Sequence, residues 1–81
     1  MDLPRVRVRR CGARWGVTAK GGDWILADFA LWQDAVDYAR TLAVAEGNSI
    51  VEEEDFQGRL TLRQLFTLDP SGVVRVRPIA E

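Results

Sequence analysis

Two stretches near the start of the chain alternate between polar and apolar residues, which is the period of a half-buried β-strand. Residues 5–9 alternate arginine with valine, and residues 15–19 resume the alternation with tryptophan, valine and alanine on one face. The run Lys20-Gly21-Gly22-Asp23 predicts a hairpin turn, because paired glycines accept the positive φ of a tight turn. Trp24 to Phe29 is apolar on both faces, which favours a third strand in the interior of the sheet or covered on both sides.

From about Trp32 to Glu46 the apolar residues recur at spacings of three and four, the period of an amphipathic helix. The apolar stripe of this helix consists of Trp32, Ala35, Ala39, Leu42 and Ala43. Small alanines on the stripe let the helix approach a sheet closely. Gly47-Asn48 supplies the residue types that end a helix in the left-handed region.

The second half of the chain returns to strand-like patterns separated by turn residues. The predicted elements are strands at Ser49 to Glu54, Arg59 to Thr67 and Val73 to Arg77, with turns at Asp55 to Gly58 and Asp69 to Gly72. Pro78 confines the last strand to an edge of the sheet or ends it. The pattern predicts one α+β domain over residues 1–81, an antiparallel sheet with a single helix on one face in the order βββαβββ.

Several of these segments together resemble a small bacterial family that is catalogued as domain of unknown function 2188. The residues that carry the resemblance are Trp15-Gly16-Val17, Phe29, the helical run Ala35 to Ala43, Glu46-Gly47, Ile50-Val51 and Gly58-Arg59-Leu60. The chain departs from the family by lacking a histidine on the strand after the helix and by continuing as strand beyond Gly58. The family has no established activity, so the resemblance implies a similar fold and no chemistry.

The amino-acid composition limits the classes of protein to which the chain can belong. Apolar residues make up 47% of the chain and charged residues 28%, which is ordinary for a globular protein. Cys11 is the only cysteine, so neither an internal disulfide nor a cysteine-based metal cage is possible. The sequence has no apolar run of the length of a spanning helix, and its first residues do not resemble a signal peptide. We therefore expect a soluble cytoplasmic protein without a membrane partner.

The sequence contains no histidine, which removes the commonest general base and the commonest metal ligand. The acidic run Glu52-Glu53-Glu54-Asp55 is the densest group of carboxylates, but alternation along a strand turns Glu53 away from Glu52 and Glu54. A solvated strand end or a partner for arginine is therefore favoured over a metal site. We expect no catalytic residues, no cofactor and no bound metal.

The candidate binding residues are arginines that alternate along two strands. Arg5, Arg7 and Arg9 project from one face of the first strand, and Arg75 and Arg77 repeat the pattern on the last strand. If those strands are neighbours, the five guanidinium groups form a patch that can follow phosphates, and an exposed Trp24 adds a stacking platform.

Two other interpretations of these residues stay open. The arginines can instead lie opposite Glu52 and Glu54 in cross-strand pairs of structural value. The apolar third strand suggests a homodimer that buries Trp24, Leu26 or Leu65 on the open side of the sheet.

These observations lead to a functional hypothesis: a non-enzymatic interaction module that self-associates through its sheet and offers an arginine-lined face to an acidic protein partner. The alternative hypothesis is a nucleic-acid-binding domain that uses the same arginines.

Overall fold

The fold is given by a computed structural model that describes residues 3–19 and 24–79. The elements of this part of the chain are β1 Arg5–Cys11, β2 Arg14–Ala19, β3 Trp24–Phe29, α1 Trp32–Glu46, β4 Ser49–Glu54, β5 Leu60–Leu68 and β6 Val74–Pro78. The predicted α+β class is confirmed. The turn predicted at residues 20–23 lies outside the described residues.

The strands form one six-stranded sheet in the order β3-β2-β1-β4-β5-β6. Neighbouring strands are antiparallel except at the centre, where β1 and β4 lie side by side and parallel. The prediction of a purely antiparallel sheet is therefore wrong. A hairpin turn forces the next strand to run backwards, whereas the crossing through α1 returns the chain to the end at which β1 begins. The sheet consists of two antiparallel meanders joined along the parallel pair.

The core lies between α1 and the central strands. Ala35, Ala39 and Ala43 are fully buried on the helix, and Val8, Val17 and Val51 are fully buried beneath them. The alanines allow the helix to lie close to the sheet, as the sequence predicted. Trp32 was expected in the same stripe, but at the first position of α1 it is 41% exposed.

Both turns of the second half begin with an aspartate that binds the backbone of its own turn. The Asp55 carboxylate accepts hydrogen bonds from the N–H groups of Gln57 and Arg59, and these bonds lower the pKa of Asp55. The Asp69 carboxylate accepts bonds from Ser71 and Val73, with the same effect on its pKa. These contacts explain why aspartate opens each turn.

The third strand differs from its prediction because, in the described part of the chain, β3 is an edge strand with no neighbour beyond it. Ile25 is 57% exposed and Leu26 is also exposed. The pairing with β2 shifts register between Val17 and Thr18, so Leu26 is an extra residue in a β-bulge. An apolar sequence on both faces therefore did not indicate an interior strand here.

Within the described residues, no helix is long and apolar enough to cross a membrane.

Candidate functional site

The sheet face opposite α1, here called the open face, collects most of the cationic side chains. Residues directly opposite one another in a sheet share a face, so the register assigns each strand position to one side. Seven arginines fall on the open face. They are Arg5, Arg7 and Arg9 on β1, Arg14 on β2, Arg63 on β5, and Arg75 and Arg77 on β6. The same strands place only three carboxylates there, Asp28, Glu52 and Glu54, so the open face is net positive.

The two predicted sets of alternating arginines, here called the arginine ladders, are Arg5, Arg7 and Arg9 on β1 and Arg75 and Arg77 on β6. Both ladders lie on the open face, but their strands are not neighbours. β4 and β5 lie between β1 and β6, which separates the two ladders by three strand spacings, or about 14 Å. The five predicted guanidinium groups therefore do not form one continuous patch.

The centre of the open face is an inner row that crosses β1, β4 and β5 through Arg7, Glu52 and Arg63. Glu52 Oε1 accepts hydrogen bonds from Nε and Nη2 of Arg7, at 3.2 and 2.9 Å. Glu52 Oε2 lies 3.1 Å from Arg63 Nε and 3.8 Å from Arg5 Nη1. The carboxylate is therefore surrounded by three cations.

Glu52 is only 3% exposed although no helix or strand of the described chain covers the open face. The long stems of the neighbouring arginines bury it, since arginine can lay its methylene groups over a surface and keep its head in water. The arginine side chains around Glu52 thus shield its carboxylate from solvent on the open face. The cross-strand pairing of arginine with glutamate, the structural interpretation of these residues, is present for Arg7, whereas Arg5 lies opposite Ile50 and reaches Glu52 only at 3.8 Å.

Arg7 is the most heavily engaged of these arginines. Besides its two bonds to Glu52, its Nη1 donates to Glu54 Oε2 at 2.9 Å. The hydrogen bond with Glu52 raises the pKa of Arg7 above its ordinary value, and Glu54 adds to this effect. Arg7 therefore stays charged and clamps two carboxylates of β4 to β1.

Beside the inner row lies an outer row that crosses four strands through Arg5, Ile50, Leu65 and Arg77. Its two middle positions are apolar and half-buried, and its two ends are cationic and exposed. Arg5 touches a carboxylate only in the long contact with Glu52, without a hydrogen bond. No carboxylate oxygen of the described residues lies within 4 Å of the Arg77 guanidinium. The outer row thus presents the charge of Arg77, which has no ion pair among the described residues, and the charge of Arg5, which Glu52 offsets only in part.

The other arginines of the open face differ in their contacts. Arg14 pairs with Asp28 at 2.9 Å, and Arg75 lies 3.4 Å from Asp69 in the turn before β6. Arg9 has no ion pair among the described residues. Exposed pairs of this kind hold their partners weakly.

The predicted stacking residue, Trp24, lies on edge strand β3. Trp24 pairs with Ala19 across the sheet, and its side chain lies outside what the structure describes. Among the described residues of the open face, none is aromatic.

The acidic run divides between the two faces of β4, as alternation predicts. Glu52 and Glu54 contact Arg7 on the open face, whereas Glu53 is buried on the helix side. Burial raises the pKa of Glu53, and the charge of Arg40, 3.9 Å away, offsets this in part. Glu53 Oε2 has no hydrogen-bond partner among the residues that the structure describes. In the described part of the chain, no three histidine, cysteine, aspartate or glutamate side chains are grouped to hold a metal ion.

Cys11 is half-buried at the end of β1 and packs against Gly16 of β2. A Cβ atom at Gly16 would lie 2.6 Å from the Cys11 sulfur, so a larger residue there would force the thiol to move. Cys11 therefore has a packing role on the open face.

Sequence reasoning did not select Arg63 or Ile50 as site residues, and it named Leu65 only as part of a dimer surface. Each becomes part of a row only through its cross-strand neighbours, and the order of the strands was not predicted. The alternation Leu60 to Thr67 was the available signal, because it placed Arg63 and Leu65 on a common face.

Comparisons with known proteins identify no relative: no family model matches the chain, and no curated protein or solved structure matches it. Membership of the family of unknown function that the sequence resembles therefore stays a prediction.

Proposed function

We propose that the chain is a non-enzymatic interaction module whose open face binds an acidic segment of a protein partner. The observation that carries the proposal is the outer row, where exposed arginines flank half-buried apolar residues on a net-positive face. The absence of histidine from the sequence supports a binding role over a catalytic one.

An acidic protein segment fits this face better than a nucleic acid does. The arginines at the centre of the face are committed to Glu52 and Glu54, so the cationic positions that remain are too far apart to follow a continuous phosphate backbone. Single-stranded nucleic acids are usually held by aromatic side chains on which bases stack, and the described open face offers none. A protein segment can supply carboxylates for the arginines and an apolar side chain for Ile50 and Leu65.

Self-association is a second candidate function, carried by the exposure of Ile25 on edge strand β3. An edge strand presents unpaired backbone groups to a second strand, and β3 carries only one charged residue, Asp28. In contrast, β6 carries Arg75 and Arg77 and ends in a proline, features that discourage pairing. Docking two copies through the open face would bring two net-positive surfaces together, so the β3 edge is the better supported route.

Fluorescence anisotropy with a labelled acidic peptide tests the leading proposal. We expect binding at low salt that weakens as salt rises, and that is reduced in Arg77→Ala. Arg59→Ala is the matched control, because Arg59 is a 72% exposed arginine in the turn between β4 and β5. Equal loss in both variants, or no binding at low salt, would contradict the proposal. Tighter binding of single-stranded or duplex DNA of equal charge would favour the nucleic-acid alternative.

Sedimentation tests the second candidate separately. We expect a monomer–dimer equilibrium in the unchanged protein and a monomer in Ile25→Lys, which places a charge on the β3 edge. A monomer at all concentrations in the unchanged protein would remove self-association without affecting the peptide experiment.

A further inference from the structure

The outer row has a spacing that an extended peptide can match. Arg5 and Arg77 stand about 14 Å apart, at the two ends of four adjacent strands. In an extended chain, residues i, i+2 and i+4 point the same way, and residues i and i+4 are separated by about 13–14 Å. An extended segment lying across the strands can therefore set two side chains over the two arginines and a third over the middle of the row.

We propose that the outer row selects an extended segment of the pattern acidic–x–apolar–x–acidic, oriented across the strands of the sheet. The inference rests on the proposed function and adds to it the partner's spacing and position. The two acidic side chains pair with Arg5 and Arg77, and the apolar side chain packs on Ile50 and Leu65. The two residues marked x point away from the protein, so the proposal sets no requirement on their type.

Charge on the open face places the segment over the outer row and not over the inner row. A segment centred on the inner row would bring its carboxylates toward Glu52 and Glu54, which already occupy Arg7. At the outer row the middle positions are uncharged, Arg77 has no ion pair among the described residues, and Arg5 is held only by its 3.8 Å contact with Glu52. The acidic residues of β4 thus disfavour a segment centred on the inner row, and the outer row remains open to it.

The apolar floor of the row distinguishes this partner from a simple polyanion. Ile50 and Leu65 are half-buried, so each already packs at its base and exposes its outer part to the solvent. An apolar side chain laid on them is removed from water, whereas a phosphate or carboxylate there would lose hydration without gaining a cation. A segment with a carboxylate at each end and an apolar centre pairs with both arginines of the outer row and packs on its two apolar residues.

The test uses two peptides of identical composition and different order, each flanked by neutral residues. The matched peptide contains Glu-Ser-Leu-Ser-Glu, and the shuffled peptide contains Glu-Glu-Leu-Ser-Ser. Because one exposed ion pair is worth up to about 1 kcal/mol, we expect the matched peptide to bind about threefold to fivefold more tightly. Arg77→Ala should reduce the affinity for the matched peptide to that of the shuffled one, and Arg59→Ala should leave the difference intact.

The outcomes of these measurements distinguish failure of the spacing inference from failure of the proposed function. Equal affinities for the two peptides, both weakened by Arg77→Ala, would overturn the spacing inference and leave the proposed function standing. No binding of either peptide at low salt would overturn both. Circular dichroism of each variant confirms that it is folded, and Leu65→Ser provides an independent test, since it should weaken the matched peptide while keeping every charge.

Discussion

The inner and outer rows of the open face share β1, β4 and β5 and lie only about 6–7 Å apart, yet they differ in what faces the arginines. In the inner row, Arg7 and Arg63 lie opposite a buried carboxylate, and their charge is used within the fold. In the outer row, Ile50 and Leu65 separate Arg5 from Arg77; Arg77 has no ion pair among the described residues, and Arg5 makes only the 3.8 Å contact with Glu52. The position of one arginine in an alternating strand therefore does not determine its role. The residue across from it does.

The largest expected effect comes from removing the central arginine of the inner row. Arg7→Ala leaves Glu52 buried without its two hydrogen bonds and leaves Glu54 without one. We expect a loss of about 2–4 kcal/mol in the free energy of unfolding, since Arg63 and Arg5 compensate only partly. Urea denaturation provides the measurement.

Arg77→Ala is the comparison for that variant, because Arg77 is exposed and has no ion pair in the described structure. We expect its stability to stay within about 0.5 kcal/mol of the unchanged protein. Similar losses in the two variants would mean that the distinction between the rows is wrong.

The next effect comes from the carboxylate at the centre of the inner row. Glu52→Gln removes one negative charge and leaves three arginines facing one another. We expect a loss of about 1–3 kcal/mol, smaller than for Arg7→Ala because the arginine heads reach solvent. Glu46→Gln, which removes an exposed carboxylate at the end of α1, is the control and should change little. An increase in stability in Glu52→Gln would show that the carboxylate is not needed to hold the row.

A smaller effect, dependent on pH, is expected on the opposite face at Glu53. Burial raises its pKa, so the folded protein holds the proton more tightly than the unfolded chain does. Stability should therefore gain from this group as the pH falls from neutral toward its ordinary value of 4.5. We expect Glu53→Gln to be more stable than the unchanged protein at neutral pH, with the difference closing on acidification.

Thermal unfolding of both proteins between neutral pH and pH 4.5 tests this expectation. The lowered pKa values of Asp55 and Asp69 act in the opposite direction and below the ordinary aspartate value, because those carboxylates stabilise the fold while ionised. Between neutral pH and pH 4.5, the change in stability with pH therefore reports on Glu53 rather than on these two aspartates. A difference that does not change with pH would exclude the buried carboxylate as its cause.

The smallest effect is expected at the exposed pair on the β3 side. Arg14 and Asp28 lie 2.9 Å apart, but about half of each side chain is exposed. Asp28→Asn should change the free energy of unfolding by less than about 0.5 kcal/mol. A larger loss would indicate that short distance alone, without burial, makes an arginine pair structural.

Local features of the fold could be predicted from the sequence. The alternation of residues 5–9, the helical period from Trp32 to Glu46 and the aspartates that open the two turns depend on neighbours along the chain. The faces of Glu52 and Glu53 follow from alternation in the same way.

The parallel pairing of β1 with β4 could not be predicted by such means, because it is set by the path of α1 across the sheet. Without that pairing the sequence could not show that Arg7 lies opposite Glu52 or that Arg5 lies beside Ile50. The candidate site was therefore predicted as a set of arginines, and its division into two rows required the strand order.

The most direct test of the outer row as a binding surface is an NMR titration of the ¹⁵N-labelled protein with the matched acidic peptide. We predict that the largest changes in amide signals occur at Arg5, Ile50, Leu65 and Arg77, with little change along α1. Changes concentrated on α1 or on the β3 edge, or none at low salt, would contradict it.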